Sequence, residues 1–414
     1  FQATVEDPFG ASFCLIFVGM FFAAKLYRMN LITIGDFYRQ RYGKGVEVFS
    51  SAVIMISYLG WVAAQITALG LVFNLLSQGA ISVPVGMVIG VISILAYTLF
   101  GGMWSVAVTD FIQMIILVAG LAILAVFAGQ QAGGADKVIA LAISQDMFKF
   151  WPEPNFHDVV FFVASAITIM LGSIPQQDVF QRVMSANSEY AATRGPVLGG
   201  LFYILFAFVP MFLVVSALII MPEQAAELIK EDPQKVLPTL VMEKMPFVMQ
   251  ILFFGALLSA IKSCASATLL APSVTFTENI WRQFHPHQSD RQELKAMRVT
   301  VLVFSLLVLG YAIFMQGSSI YEMVSGAYQV TLVGAFVPLS FGLYWKKATT
   351  QGALFAIVLG LLTWLLFLLT PAGEAFPAQL AGVLASLTGM LIGSLGPQAI
   401  RNQHGSHHRL VGVV

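Results

Sequence analysis

Residues 251–281 read ILFFGALLSAIKSCASATLLAPSVTFTENIW. Between Met245 and Phe276 a single residue carries a formal charge, Lys262, with apolar or small residues flanking it on both sides. About 20 residues of helix span the roughly 30 Å of bilayer hydrocarbon, so the stretch reads as a transmembrane helix with its lysine near mid-depth. A lysine there costs at least about 2.5–3.5 kcal/mol on insertion scales, and therefore faces a bundle interior, a water-filled path or a carboxylate. Helical spacing puts Ala260, Ser263 and Cys264 on one face, a close-packed surface with weak oxygen and sulfur ligands that suits an ion or a partner helix. The plainer alternative is a lysine snorkelling to head groups beside serines bonded to their own helix.

Composition extends the reading to the whole chain. Its 414 residues are 58% hydrophobic and 10% charged, with a mean hydropathy of +0.84. Soluble domains carry about 25% charged residues, so this is a polytopic, all-α membrane protein. The net charge of zero gives no reason to expect a nucleic-acid partner. Cys14 and Cys264 both lie in apolar runs and do not suggest a structural disulfide. The opening FQATVEDPFG has neither a methionine nor a signal-peptide pattern, and reads as a cut.

Apolar runs give eleven expected spans, near 8–28, 49–76, 82–101, 104–128, 157–183, 196–221, 245–276, 296–315, 319–345, 351–370 and 376–396. The spans around Phe180 and Phe276 continue into polar sequence and should project beyond the bilayer. With the first span running inward, fifteen basic residues fall in inner loops and five in outer loops, the bias expected of a plasma (inner) membrane protein.

In order along the chain, KLYRMNLITIGDFYRQRYGKG (25–45) is a basic inner loop. The second span places Trp61, Gln65 and Thr67 in an apolar helix, where a ring face and an amide one turn later suit a solute. Gly101 and Gly102 permit a sharp turn between the third and fourth spans. Thr109, Asp110 and Gln113 then enter the membrane, and Asp110, the carboxylate among the intramembrane positions, is the expected partner of Lys262. Loop 130–156 predicts a surface helix or lid. Gly172 and Pro175 predict a broken helix followed by Gln176 and Gln177, and Asp178 with Arg182 reads as a structural i, i+4 pair. Residues 221–246 read as a solvated amphipathic segment. The tail histidines His404, His407 and His408 lack the partners of a metal site. Neither a phosphate loop nor a nucleophile, base and orienter can be assembled, which argues against an ATPase or another enzyme and leaves an ion or solute gradient to drive transport.

FGGMWSVAVTDFIQ (100–113), GSIPQQDVFQRVMSA (172–186) and GALLSAIKSCASATLLAPSVTFTENIW (255–281) together resemble the sodium:solute symporter family in order and spacing. The resemblance implies a five-plus-five inverted-repeat core with alternating access about a midplane solute. It further implies a core over 1–345 that starts at the second core helix, the first being absent, followed over 346–414 by two additional helices and a polar cytoplasmic tail. By the match, Ala260, Ser263 and Cys264 fall on sodium-ligand positions, with a sulfur where the family has a hydroxyl; Ala260 and Ser263 are the possible sodium (metal) ligands.

Asp110 matches an aspartate on the cation's inward path. An ammonium at Lys262 competes with a cation by about 4 kcal/mol at 4 Å and an effective dielectric of 20. The expected coupling set is Thr109, Asp110, Ala260, Lys262, Ser263 and Cys264, with a sodium ion or a proton as coupling ion and with sodium-independent or proton-coupled transport. Within the family, GWVAAQITALG (60–70) and IPQQDVFQRVMSA (174–186) look most like high-affinity choline transporters, Trp61 matching an aromatic of their cation cage. Gln176 and Gln177 stand about where they carry a tryptophan. Solute contacts are expected from Trp61, Gln65, Gln176 and Gln177. A small organic solute and the lipid bilayer are the expected partners. The alternative function is a transporter-like sensory input domain with a signalling partner.

Overall fold

A computed structural model describes residues 4–285 and 289–400. Fifteen helices position the site: α1 (Val5–Arg28), α2 (Ile34–Tyr42), α3 (Lys44–Leu76), α4 (Val83–Gln131), α5 (Ala135–Ser144), α6 (Phe156–Gly172), α7 (Gln177–Met184), α8 (Glu189–Ile220), α9 (Pro222–Glu231), α10 (Val236–Lys244), α11 (Phe247–Phe284), α12 (Asp290–Phe314), α13 (Ile320–Tyr344), α14 (Thr350–Leu369) and α15 (Ala378–Leu395). Among the described residues no strand occurs. Among the described residues nine helical stretches are long and apolar enough to cross a membrane, and α6 with α7, bent by 46°, makes a tenth as one broken span. The remaining expected span survives as the shorter apolar stretch Val83–Ala96.

Two expectations are corrected. Val83 to Gln131 is a single 49-residue helix, so the glycine pair at 101 and 102 does not interrupt it; glycine permits a break without compelling one, and the backbone ladder carries through. The segment over 221–246 is not simply solvated, because Val236, Leu240 and Val241 of α10 are fully buried in a second core that includes Leu124, Leu213 and Phe254. Loop 130–156 contains the expected short helix, α5, which also buries one side through Val138 and Ala142. At 1.5 Å per residue the 38 residues of α11 run about 57 Å, so this helix does project past any bilayer. The tail histidines lie outside the described residues.

Local chemistry sets the breaks. Thr33 and Asp36 form a reciprocal capping box that starts α2. Gly43, at φ 96°, turns the chain directly into α3. Gly172 ends α6 where a Cβ would lie 2.4 Å from the Tyr328 carbonyl, so only glycine lets the broken span approach α13 this closely.

The inner ends are joined by a buried polar cluster. Glu47, fully buried, accepts from Asn279 Nδ2 at 2.9 Å and Gln283 Nε2 at 3.1 Å. Asn279 accepts from Thr33 Oγ1 at 2.8 Å and donates to Asp36 at 3.2 Å. Tyr38 and Tyr42 donate to the carbonyls of Ala335 and Pro338, pinning α2 to α13. Small residues let α14 and α15 pack backbone against backbone, as at Gly352 and Gly393.

Candidate functional site

A cavity of about 620 Å³ lies among α1, α3, α6, α7, α8 and α13, within the usual range of ligand pockets, roughly 300–1,000 Å³. Its wall combines the aromatic rings of Trp61, Tyr203 and Tyr328 with the charged groups Asp7, Asp178 and Arg182. Trp61 and Tyr328 stand with ring centroids 5.5 Å apart at an interplanar angle of 50°.

The sequence-chosen solute residues divide into two groups. Trp61 lines the cavity, and its Nε1 is buried without a protein partner. One turn later Gln65 donates to Cys264 Sγ at 3.2 Å, while its own Oε1 is buried and unpartnered. Such unpartnered polar atoms are rare in native interiors and leave bonding capacity for a water, an ion or a solute.

Gln176 and Gln177 instead serve the protein. Gln176 donates to Ser57 at 3.0 Å and Thr331 at 3.3 Å, and Gln177 Oε1 accepts the Ile34 backbone N–H at 2.8 Å. Both are almost wholly buried and neither lines the cavity. They hold the bend between α6 and α7 against α2, α3 and α13.

The residues expected from sequence to couple an ion gather where α4 crosses α11. Ser263, buried, donates to the Asp110 carboxylate, and next to it on α11 Cys264 receives the Gln65 amide. Thr98 on α4 donates to Ser266 on α11 at 3.0 Å. Ala260, Lys262 and Thr109 are half-buried beside these groups. The hydrogen bond that reaches Asp110 comes from Ser263, where the sequence leads us to expect Lys262 paired with it directly or through water. Ser263 sits one residue further round the helix, so the face that meets α4 presents its hydroxyl to the carboxylate.

Several wall residues escaped the sequence reading. Arg182 makes the i, i+4 pair expected with Asp178, from Nη1 to Oδ2 at 3.1 Å, and also lines the cavity, which the sequence reading did not anticipate. Tyr58 donates to Asp178 Oδ1 at 2.6 Å and accepts the Asp178 N–H at 2.8 Å. Tyr58 is one helical turn before Trp61, a spacing that places both on one face. At the cavity's other end Tyr203 donates to Asp7 at 3.2 Å, and the adjoining Glu6, buried, accepts from Tyr321 at 2.5 Å and Ser325 at 2.6 Å.

A bundle of apolar helices enclosing a polar, aromatic cavity beside a helix-crossing carboxylate defines a multi-pass membrane protein with an internal cavity of ligand size. The family model for the sodium:solute symporter family matches residues 7–360, and the chain belongs to that family. The human high affinity choline transporter 1 is 28% identical over 391 residues, covering 90% of this chain and 64% of the transporter. The high-affinity proline transporter PutP of Bacillus subtilis is 26% identical over 377 residues, covering 89% of this chain and 78% of PutP. The chain thus spans just under two thirds of the length of its choline-transporting relative. A solved structure of a Na+-coupled sialic acid symporter, substrate-bound and outward-open, superposes with a TM-score of 0.77 at 19% identity, over 94% of this chain and 82% of that one. The fold is therefore the five-plus-five inverted-repeat transporter fold with two further C-terminal helices.

Proposed function

We propose that this chain is the transporting core of a secondary active symporter in the cell's inner membrane, moving a small organic solute by alternating access. The observation that carries the reading is the cavity itself, with the Trp61–Tyr328 ring pair on its wall and unpartnered polar atoms on Trp61 and Gln65. Two ring faces beside carboxylates favour a solute with a cationic group, in keeping with the choline-transporting relatives. Trp61 and Gln65 are the solute contacts, while Gln176 and Gln177 shape the bend.

The coupling cation belongs at Asp110 and Ser263, with the Ala260 carbonyl and Cys264 alongside. Two features favour a proton over sodium: the sulfur of Cys264, since hard cations prefer oxygen ligands, and the ammonium of Lys262 next to Ser263. The reading is tested by uptake of labelled choline and proline into proteoliposomes under an imposed sodium or proton gradient. Accumulation above equilibrium with either gradient supports it, and uptake that merely equilibrates overturns it. Thermal stability in sodium against potassium, for wild type and Lys262→Met, separates the ions: a sodium response gained only by Lys262→Met supports a lysine in the cation's place, and a response already present in wild type makes sodium the coupling ion.

A further inference from the structure

The charged groups on the cavity wall do not balance. Among the described residues that line it, two are carboxylates, Asp7 and Asp178, and one is a guanidinium, Arg182. Asp178 is answered on both oxygens: Arg182 reaches Oδ2 at 3.1 Å, and Tyr58 donates to Oδ1 at 2.6 Å. Asp7 takes a bond from the neutral hydroxyl of Tyr203 at 3.2 Å, and among the described residues no ion pair reaches it. The wall therefore carries one negative charge beyond what its arginine neutralises, and that charge sits at Asp7. The fold sets it beside the rings. Glu6, adjoining Asp7 in the chain, accepts from Ser325 at 2.6 Å, and Ser325 lies one helical turn from Tyr328 on α13, a spacing that makes the two neighbours. Tyr58, which holds Asp178, lies one turn from Trp61 on α3. The two helices run antiparallel, Gly60 against Met323 and Ala327 and Gly334 against Val53, so these turns lead opposite ways along the cavity. Trp61 and Tyr328, with ring centroids 5.5 Å apart, thus stand between the neutralised Asp178–Arg182 pair and the unpaired carboxylate of Asp7.

We propose that Asp7 is a specificity-determining residue of the cavity: its carboxylate is the counter-charge for a solute that carries a positive group and no negative one, an ammonium or quaternary ammonium seated on the ring faces of Trp61 and Tyr328. Ring faces attract a cation through their quadrupole but supply no net charge. A cation taken out of water needs an opposite charge as well, and Asp7, held from α8 by Tyr203, provides it. One bound monocation brings the wall to neutrality. A zwitterion, such as an amino acid, leaves the wall one negative charge in excess and brings a second carboxylate among Asp7 and Asp178, where like charges disfavour it.

This inference deepens the reading of the cavity as the solute site and rests on it, so the experiment carries an arm for each. The full chain in detergent is titrated with three probes of closely similar shape: choline, the uncharged alcohol with carbon in place of its nitrogen, and glycine betaine, which keeps the quaternary ammonium and adds a carboxylate. The rise of the thermal midpoint with concentration gives the Kd of each. Wild type is expected to bind choline more tightly than either other probe. Asp7→Asn is expected to weaken choline at least about tenfold, as removing one partner of a desolvated charge pair does, and to leave the uncharged alcohol unchanged. Asp7→Glu keeps the charge and recovers most of the affinity, whereas Trp61→Ala, which removes a ring, weakens choline while the charge stays.

A loss confined to choline in Asp7→Asn and restored in Asp7→Glu establishes the role. If Trp61→Ala weakens choline but Asp7→Asn does not, or weakens choline and the uncharged alcohol alike, Asp7 is not the counter-charge and the cavity remains the solute site. Tighter binding of glycine betaine than of choline overturns the inference in the same way. If Trp61→Ala leaves choline binding intact, or wild type binds none of the three probes, the solute site and the inference fall together. Should Asp7→Asn fail to fold, wild type decides by its order of preference: choline above both other probes supports the inference, and any other order overturns it.

Discussion

The hydroxyl of Ser263 donates to the Asp110 carboxylate across the contact between α11 and α4. The bond joins two sequence motifs more than 150 positions apart and makes one site of them. Ser263→Ala should weaken the cation response about tenfold and Asp110→Asn should abolish it, because a hydrogen bond to a charged group contributes about 1.5–3 kcal/mol. Cation titration of thermal stability and of uptake checks both. Equal, small effects from the two variants would remove this crossing from the coupling machinery.

Trp61 should govern solute affinity through its ring. Its face stands against Tyr328 in the cavity wall, and a desolvated cation–π contact contributes about 2 kcal/mol. Trp61→Ala is therefore expected to raise the uptake KM by more than tenfold, roughly what that energy implies. Trp61→Phe keeps a ring and should lose far less. Equal losses in the two variants would point to the indole N–H as the group that matters.

Gln177 makes the opposite prediction. Its amide oxygen accepts the Ile34 N–H, and leaving a buried donor unsatisfied costs about 1–3 kcal/mol. Gln177→Ala should lower the thermal midpoint while the KM for solute holds. A raised KM at unchanged stability would return Gln177 to the solute site.

Glu47 should be a stability residue of the inner face. Glu47→Ala takes one acceptor each from the amides of Asn279 and Gln283, which keep their bonds to Asp36 and to the Asn279 carbonyl, so the cost is about 1 kcal/mol for each lost bond. Glu47→Gln keeps one carbonyl acceptor and should lose less than half as much. Chemical or thermal unfolding of both variants measures the difference.

Gly172 should tolerate no side chain. A Cβ there meets a backbone carbonyl, that of Tyr328, at 2.4 Å, and backbone cannot yield as a side chain can. Gly172→Ala is expected to push α6 away from α13, lowering both the thermal midpoint and uptake. Unchanged uptake would show that the cavity does not depend on this approach.

The apolar spans and the break after Gly172 were legible in sequence because each follows from local composition: about 20 apolar residues need a bilayer, and Pro175 lacks an amide hydrogen. That Trp61 stands on an internal face was legible too, since a ring in an otherwise apolar helix beside an amide one turn on stands out, and it lines the cavity. Arg182 was not, because an arginine at the end of an apolar run reads like any inner-loop arginine until the bend between α6 and α7 carries it onto the cavity wall. The partners of Gln176 and Gln177 were not legible for the same reason, their amides being answered on distant helices.

By itself, then, the sequence determined that this is a helical membrane protein of the symporter family, with Asp110 and Lys262 as charges inside its apolar spans. Those properties are sums over local stretches, set by hydrophobic length and residue type. Tertiary structure alone decided which charges meet. It gave Asp110 to Ser263, Asp178 to Tyr58 and Arg182, and Glu47 to Asn279. A pairing inside a low-dielectric bundle depends on which helix faces touch, and a one-residue rotation, such as that from Lys262 to Ser263, exchanges one partner for another.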